Sequence, residues 1–587
     1  MLEIMCRKAE KMNNKLMKKP KLLQINVTAN WGSTGKIAEQ IGLCAMEHGW
    51  DSYIAYGRMM NPSKNNLIRI GSQWDVYEHY AEGKFFDNEG LASRQATKDF
   101  LEKVDEIKPD VVHLHNIHDH YLNYRLLFAY FAKNEIPVIW TQHDQWATTG
   151  HCMYNLCGCE RWKTECHDCP LVKWYSLDRS RRNYQLKKRL LADVPSLTIV
   201  PVSEWLANNI RQSHLKDRPM QVIHNGIDIH TFSPQPTNAH ERYGIDKSKK
   251  IVLGVAALWD ARKGLNDFYA LAQRLPSEEY AIVIVGQQTE KAREINNACQ
   301  MVFVDRTQNA LELAQLYSSA SVFVNPTYQD NYPTTNLEAM ACGTPVVTYR
   351  TGGSPESVDE ETGIVVEQGD VAGLEEAVKR LSSWNSQNAC RQKALRDFDK
   401  TKCFNPYIAL YNKLIWGGKT VILGVSNVWS NDKGLADLIT LSRKANNIVI
   451  LVGMNNAQVK LYSSAKYDDC NLIPIQRTHS QYELAMLYSL ADVFINSTYA
   501  DMFPTVNLEA LACGTPVITY RTGGSPEAID EKTGVVVEQG DVKALADAIV
   551  HMKENPLASS DCRKRAEEKF DKDRCFEKYI KLYESLI

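Results

Sequence analysis

The 587-residue sequence has no uninterrupted apolar run near the roughly 18 residues a membrane helix needs. Its opening, Met1–Lys21, lacks the apolar stretch and small-residue cleavage site of an export signal, so the expected location is the cytosol. No charge dominates either: 68 basic residues stand against 70 acidic ones, a formal net charge of −2. That removes any global pull toward nucleic acid, and no nucleic-acid partner is expected. The composition of a disordered chain is absent too, with 44% apolar and 24% charged residues. Cysteine is plentiful at fifteen, but the number is odd and no export signal precedes it. A disulfide framework is therefore disfavoured against free thiols or a metal site.

At about 150 residues per domain the length suggests three or four domains. The first 21 residues carry seven Lys or Arg against two Glu, which reads as a solvated tail over 1–20 that could also lean on an anionic membrane surface. An apolar run, Leu22–Val27, then leads through Ala29-Asn30-Trp31-Gly32-Ser33-Thr34-Gly35-Lys36 into a helical stretch, Ile37–His48. Strand, glycine loop and helix open a doubly wound α/β domain. Further strands are expected at Val111–Leu114, Val138–Thr141, Thr198–Val202 and Gln221–Ile223, and the polar stretch Ser233–Lys249 reads as a linker. A second series follows at Ile251–Val255, Ala281–Val285, Met301–Val304, Val322–Asn325, Val346–Tyr349 and Ile364–Val366. Its alternation with helical patterns implies a second parallel sheet.

That second series is repeated. Lys249–Val255 returns as Lys419–Val425, and 30 of the 36 residues of Asn336–Val371 are identical to Asn507–Val542 at an offset of 171. A period of that length is a whole domain, not a solenoid unit. The expected organisation is a tail (1–20), an N-terminal domain (21–235), a second domain (248–415) and its copy (419–587).

In the first copy the strand Val322–Asn325 runs into a polar loop with Asp330, and then into a helix starting near Pro333 that carries Glu338, eight residues after Asp330. The free N–H groups of a first helical turn suit an anion. Arg262 and Lys263 follow the first strand of the same domain, so their charges can reach the same crevice at the strands' carboxyl ends. The Gly32–Gly35 segment is neither G-x-G-x-x-G nor a Walker loop, because the glycine spacing is too short and Ile37 follows Lys36.

As a set these motifs resemble the retaining, nucleotide-sugar-dependent glycosyltransferases of family 4, which have the GT-B fold of two facing Rossmann-like domains. More narrowly the chain resembles the colanic-acid and capsular-polysaccharide type. The resemblance covers about 21–415 once and the C-terminal half again, with the family's E-x7-E pair written here as Asp330-x7-Glu338. It implies an α/β fold of Rossmann-like doubly wound parallel-sheet domains, the third repeating the second, and a two-domain enzyme complete by about residue 415. It implies transfer from a nucleoside-diphosphate sugar to a glycan or lipid-linked oligosaccharide acceptor. Donor binding then falls to Gly32, Ser33, Thr34, Gly35, Arg262, Lys263, Asn331, Tyr332, Thr334, Thr335 and Glu338, with Glu338 on the ribose and Lys263 on the diphosphate. His143 and Asp330 take the catalytic positions at the donor sugar. The family's arginine five residues before the lysine is replaced by Leu258, and Arg262 is expected to substitute. No divalent ion or other cofactor is required by such a reaction, and Asp571-Lys572-Asp573, in a polar C-terminal helix, reads as solvated surface and not as a D-x-D metal motif.

In the second copy Lys433, Asp501 and Glu509 repeat the donor set, but Asp432 stands where Arg262 does and should weaken anion binding. The copy is expected to be accessory. The segment His113–His120 is read as cleft lining before metal ligand. Cys152, Cys159, Cys166 and Cys169 suit a structural zinc, one pair having the usual C-x2-C spacing; free, partly buried thiols are the alternative, and Cys157 is a spare. Cys342 and Cys513 read as small core residues. The competing functional readings are a GT-B-fold epimerase or phosphorylase and a non-catalytic nucleotide-sugar-binding scaffold.

Overall fold

The computed structural model describes residues 19–154, 158–288, 301–384, 387–415, 417–467, 469–478 and 480–586. Cys157 and the basic tail before residue 19 lie outside them. The first sheet contains β1 (Lys21–Asn26), β2 (Asp51–Tyr56), β3 (Asn66–Arg69), β4 (Val111–Leu114), β5 (Val138–Gln142) and β6 (Leu197–Pro201), in the order β3-β2-β1-β4-β5-β6. The second holds β7 (Lys250–Trp259), β8 (Tyr280–Gln288), β9 (Val302–Val304), β10 (Val322–Asn325), β11 (Val346–Tyr349) and β12 (Gly363–Val366), ordered β12-β11-β10-β7-β8-β9. The third repeats it with β13 (Thr420–Val425), β14 (Asn447–Val452), β15 (Leu472–Ile475), β16 (Val493–Asn496), β17 (Val517–Tyr520) and β18 (Gly534–Val537), ordered β15-β14-β13-β16-β17-β18.

Counted within each sheet all three orders are 3-2-1-4-5-6, the doubly wound arrangement whose ligand crevice lies at the carboxyl ends of the first and fourth strands. The central strands are continuous apolar runs because helices cover both faces; β10 and β14 are buried at every position. The first two sheets form one compact unit and the third belongs to a second.

Three local readings change. Gln221–Ile223 is not a strand: beside edge strand β6 it makes only the isolated bridge Ile199↔Met220 and the bonds Gln221 N to Ile199 O and Ile223 N to Pro201 O. The strands β2 and β3 were hidden by polar starts (Asp51-Ser52, Asn66) and, in β3, by exposure at the sheet edge. The Gly32–Gly35 segment is the first turn of the helix Gly32–Glu47, not a loop before it.

Within the first unit the chain returns to its starting sheet. Ile227 bridges Asp399, the Lys400 ammonium meets Asp228 at 2.7 Å, and the hydroxyls of Thr141 and Tyr407 are 2.8 Å apart. The helix Lys400–Ile415 therefore ties the second sheet back to the first.

Candidate functional site

The site is built where β10 ends. Pro333 caps the helix Thr334–Ala341, leaving the first-turn amides of Thr334 and Thr335 outside the helical ladder. Asn336 fixes this corner: its carbonyl accepts from Asn325 Nδ2 at 2.8 Å, and its own amide donates to Ser357 Oγ at 3.0 Å. Behind the Asp330 loop the chain passes so close that a Cβ on Gly352 (φ +53°) would stand 1.8 Å from the Asp330 carbonyl oxygen. Only glycine allows that approach.

Charged groups gather on this frame. Asp260 accepts from the backbone N–H of Lys263 at 3.0 Å and holds the turn after β7. The Lys263 ammonium reaches Asp330 at 2.8 Å, so the two expected donor groups form an ion pair across 67 residues of sequence. Arg262 donates to the Gln329 carbonyl at 3.2 Å and lays its guanidinium 4.8 Å from the ring centre of Tyr154. Glu338 is only partly exposed, one turn inside the helix, and accepts from the Tyr317 hydroxyl at 3.2 Å. Burial pushes its pKa up to about 7, opposed by the charge of Lys36 and by the tyrosine bond. Lys36 comes from the first turn of Gly32–Glu47. It is a functional candidate that the sequence motifs had offered only as part of a rejected Walker pattern, and its signal was its place one residue after Gly35.

The first sheet supplies the opposite wall. Asn331 donates to the His143 carbonyl at 2.6 Å, and Gln329 to Gln145 at 3.2 Å. The His143 ring, half-buried, lies 3.1 Å from His115, which in turn meets Gln24 at 3.0 Å. Burial, opposed by Asp144 and helped by His118, holds His143 down at about 4, so its imidazole is neutral at pH 7. Next to it, His118 and Asp144 form a buried pair at 2.7 Å. Burial disfavours both charges, but each stabilises the other, raising His118 and lowering Asp144. Among the described residues no His, Cys, Asp and Glu side chains are grouped as around a metal ion, the His113–His120 segment included.

Two further contacts join the walls. Glu356 accepts from the backbone N–H groups of Glu204 and Trp205, both at 2.8 Å, capping the helix Glu204–Ile210 of the first sheet, and lies 3.3 Å from His224. Tyr332 is buried and stacked on His224 with ring centres 4.7 Å apart, a packing position at the junction that leaves little of its side chain for a donor. The structure thus brings together Arg262, Lys263, Asp330, Asn331, Thr334, Thr335, Glu338 and His143, with the Gly32–Gly35 turn on the side from which Lys36 acts on Glu338.

The second copy repeats the internal geometry. Lys433 pairs with Asp501 at 3.0 Å and the Tyr488 hydroxyl donates to Glu509 at 3.0 Å. Its rim differs: Met502, at the position of Asn331, is 90% exposed.

Between β5 and the helix Ser180–Asp193, the four cysteines of the expected metal set line a single cavity. Burial pushes Cys152 up to about 12 and Cys166 up to about 11, with neighbouring thiols contributing.

The chain is similar to known proteins. Models described as glycosyl transferases group 1 match residues 249–383 and 412–569, and one described as Glycosyltransferase Family 4 matches residues 28–231. An Escherichia coli K12 protein, provisionally named the colanic acid biosynthesis glycosyl transferase WcaC, is 24% identical over 383 residues, covering 60% of this chain and 89% of its own. The D-inositol 3-phosphate glycosyltransferase of Corynebacterium jeikeium K411 is 26% identical over 38% of this chain and 58% of its own. Among solved structures, a sucrose-phosphate synthase from Thermosynechococcus elongatus superposes with a TM-score of 0.53 at 18% identity, over 68% of this chain and all of that one, a likeness of fold.

Proposed function

Because the chain belongs to the family 4 glycosyltransferases, of GT-B architecture with its second Rossmann-like domain duplicated, we propose that it is a retaining hexosyltransferase. In this reading it moves a sugar from a nucleoside-diphosphate sugar to a hydroxyl of a glycan or lipid-linked oligosaccharide in surface polysaccharide synthesis. The observation that carries the reading is the convergence of Arg262, Lys263, Asp330, the amides of Thr334 and Thr335, Glu338 and neutral His143 at the strand ends of two facing sheets.

Each group has a task there. Arg262, Lys263 and the first-turn amides oppose the charge that develops on the departing diphosphate, and Lys36 adds to them from the other wall. Glu338 accepts from the ribose hydroxyls. Asp330, held by Lys263 at 2.8 Å, accepts from donor-sugar hydroxyls, and its tie to the lysine makes it a poor free nucleophile. His143 stays uncharged and orients the sugar near the reacting carbon. The walls exclude water from the transfer, so hydrolysis of the donor is suppressed. No divalent ion is required by these residues, and transfer should be insensitive to added magnesium or manganese. The second copy is accessory, its aspartate at 432 facing where a diphosphate would lie.

The test is a screen of isotope-labelled nucleotide sugars with lipid-linked and free glycan acceptors, with the product anomer read by NMR. Turnover with retained configuration supports the reading. Binding and turnover of no nucleotide sugar under any acceptor condition would end it; an inverted anomer would overturn retention, and donor epimerised without acceptor would make the chain an epimerase.

A further inference from the structure

The long loop between β5 and Ser180–Asp193 has a cysteine cluster that sugar transfer does not use. Cys152, Cys159, Cys166 and Cys169 line one cavity with His151 and His167. Its volume is about 20 Å³, room for one water-sized body. None of these four cysteines is in a disulfide. His151 meets Asp87 through Nδ1 at 2.6 Å and His167 meets Asp168 through Nδ1 at 2.9 Å, while the four cysteines supply the soft donor set that zinc takes.

Burial disfavours a free thiolate here, but the loop is braced and donors surround it that can oppose the charge of metal-bound sulfur. The C-x2-C turn is folded back through Asp168 in the left-handed region (φ +44°), and Arg161 holds it by donating to the carbonyls of His167, at 2.8 Å, and Asp168. The Gly150 amide donates to Cys166 Sγ at 3.2 Å. Lys187 is 2% exposed, its ammonium donating to the Trp146 carbonyl at 2.6 Å, and Cys152 and Cys166 are among its electrostatic neighbours. A buried ammonium there opposes the net negative charge that four thiolates around one divalent ion would carry.

We propose that Cys152, Cys159, Cys166 and Cys169 bind one structural zinc ion that staples this loop and so sets Tyr154 beneath Arg262. Among the described residues no three side chains are gathered as around an ion beforehand. Binding must therefore draw the sulfurs to about 2.3 Å from the metal, the usual coupling of site formation to loading. The consequence reaches the donor site through the 4.8 Å contact between the Tyr154 ring and the Arg262 guanidinium.

The experiment measures metal in the purified full chain. One zinc per chain that survives dialysis against EDTA is expected, and cobalt exchanged into its place should give thiolate-to-metal charge transfer with tetrahedral d–d bands. C166S/C169S should lose both signals, while C575S, in the C-terminal helix, keeps them. In the variant the donor KM should rise several-fold more than kcat falls. Metal-free wild-type protein with no cobalt spectrum, a Cys166–Cys169 disulfide in peptide maps, or undiminished zinc in C166S/C169S would each overturn the proposal. The wild-type measurements decide even if the double variant does not fold, and none depends on which sugar is transferred.

Discussion

Glu338 is expected to release a proton when the donor binds. Its pKa is pushed up to about 7 by burial, so at pH 7 about half of the unliganded sites are protonated. Ribose hydroxyls donate more strongly to the carboxylate than to the acid, so binding lowers the pKa. A drop of one unit or more releases about 0.4 to 0.5 proton per donor at pH 7 and is worth about 1.4 kcal/mol per unit. An intact sugar nucleotide has no ionisation of its own near neutrality, so the proton can be assigned to the protein. Calorimetric titration of the donor found in the screen, in two buffers of different ionisation enthalpy, reads this number directly, and affinity should tighten between pH 6 and pH 8. Glu338→Gln should abolish the release and weaken binding roughly ten- to hundredfold, the loss of one charge-assisted hydrogen bond of about 1.5–3 kcal/mol. It also removes a buried carboxylate whose ionisation opposes folding, and so should raise the melting temperature at pH 8 more than at pH 5. Glu509→Gln should leave transfer intact. Buffer-independent binding enthalpy with flat affinity across this range, or loss of transfer in Glu509→Gln with Glu338→Gln active, refutes the assignment.

Glu356→Ala removes the acceptor of two backbone N–H groups at 2.8 Å and should cost about 1–3 kcal/mol in urea unfolding of the first unit, whereas exposed Glu527 of the second copy can be truncated within about 0.5 kcal/mol. His143 and His214, both held at about 4 by burial, bind fewer protons folded than unfolded, so stability should fall as pH drops from about 6.5 to 4, by up to about 1.4 kcal/mol per pH unit per histidine. His118, raised by Asp144, and Glu338, raised by burial, contribute with the opposite sign, but buried His79, His113 and His115 are lowered as well, so the histidines prevail below pH 6.5; stability rising steadily from pH 7.5 to 5 contradicts this balance. Gly352→Ala places a methyl against the Asp330 carbonyl in a left-handed backbone and should lower stability by about 2–4 kcal/mol in thermal melts while also reducing donor affinity.

What could be read in the sequence was whatever has a local period or an exact copy. Strands such as β10 and β11 were legible because a parallel strand covered on both faces is a bare apolar run, and Asp330 and Glu338 because they flank a proline-started helix. The strands β2 and β3 escaped because β2 opens on the polar pair Asp51-Ser52, and β3, at the sheet edge, is half-exposed and carries ordinary polar residues. Pairings that depend on tertiary approach left no trace: the Lys263–Asp330 ion pair, the Glu356 cap on a helix of the other sheet, the Tyr332–His224 stack and the field of Lys36 on Glu338 join residues up to 302 positions apart. The Gly32–Gly35 segment misled for another reason: glycine suggests a loop, whereas here only Gly32 needs its freedom (φ +65°) and the turn is already helical.

The two copies separate the residues that hold a fold from those that hold a ligand. Internal contacts are kept almost to the ångström: Tyr317–Glu338 at 3.2 Å against Tyr488–Glu509 at 3.0 Å, Asn325–Asn336 at 2.8 Å against Asn496–Asn507 at 2.9 Å, and a glycine Cβ position 1.8 Å from a carbonyl in both. The changes include positions whose partners in the first unit come from the first sheet or that would meet the diphosphate: Asn331 to Met502, Tyr332 to Phe503, Arg262 to Asp432. Exposure follows, 3% to 90% at the first of these and 6% to 39% at the second. If the charge change is what silences the second copy, reversing it should restore anion binding there. Asp432→Arg, made in a Glu338→Gln chain to suppress the first site, changes the local charge by two. Opposite a diphosphate at roughly 6 Å in a solvent-screened cleft, that is worth about 1–2 kcal/mol, or a five- to thirtyfold gain in nucleotide affinity that fades with salt. Calorimetry at low and high ionic strength measures it. No gain at low salt would mean that the exposed rim, rather than the aspartate, keeps the second copy from binding.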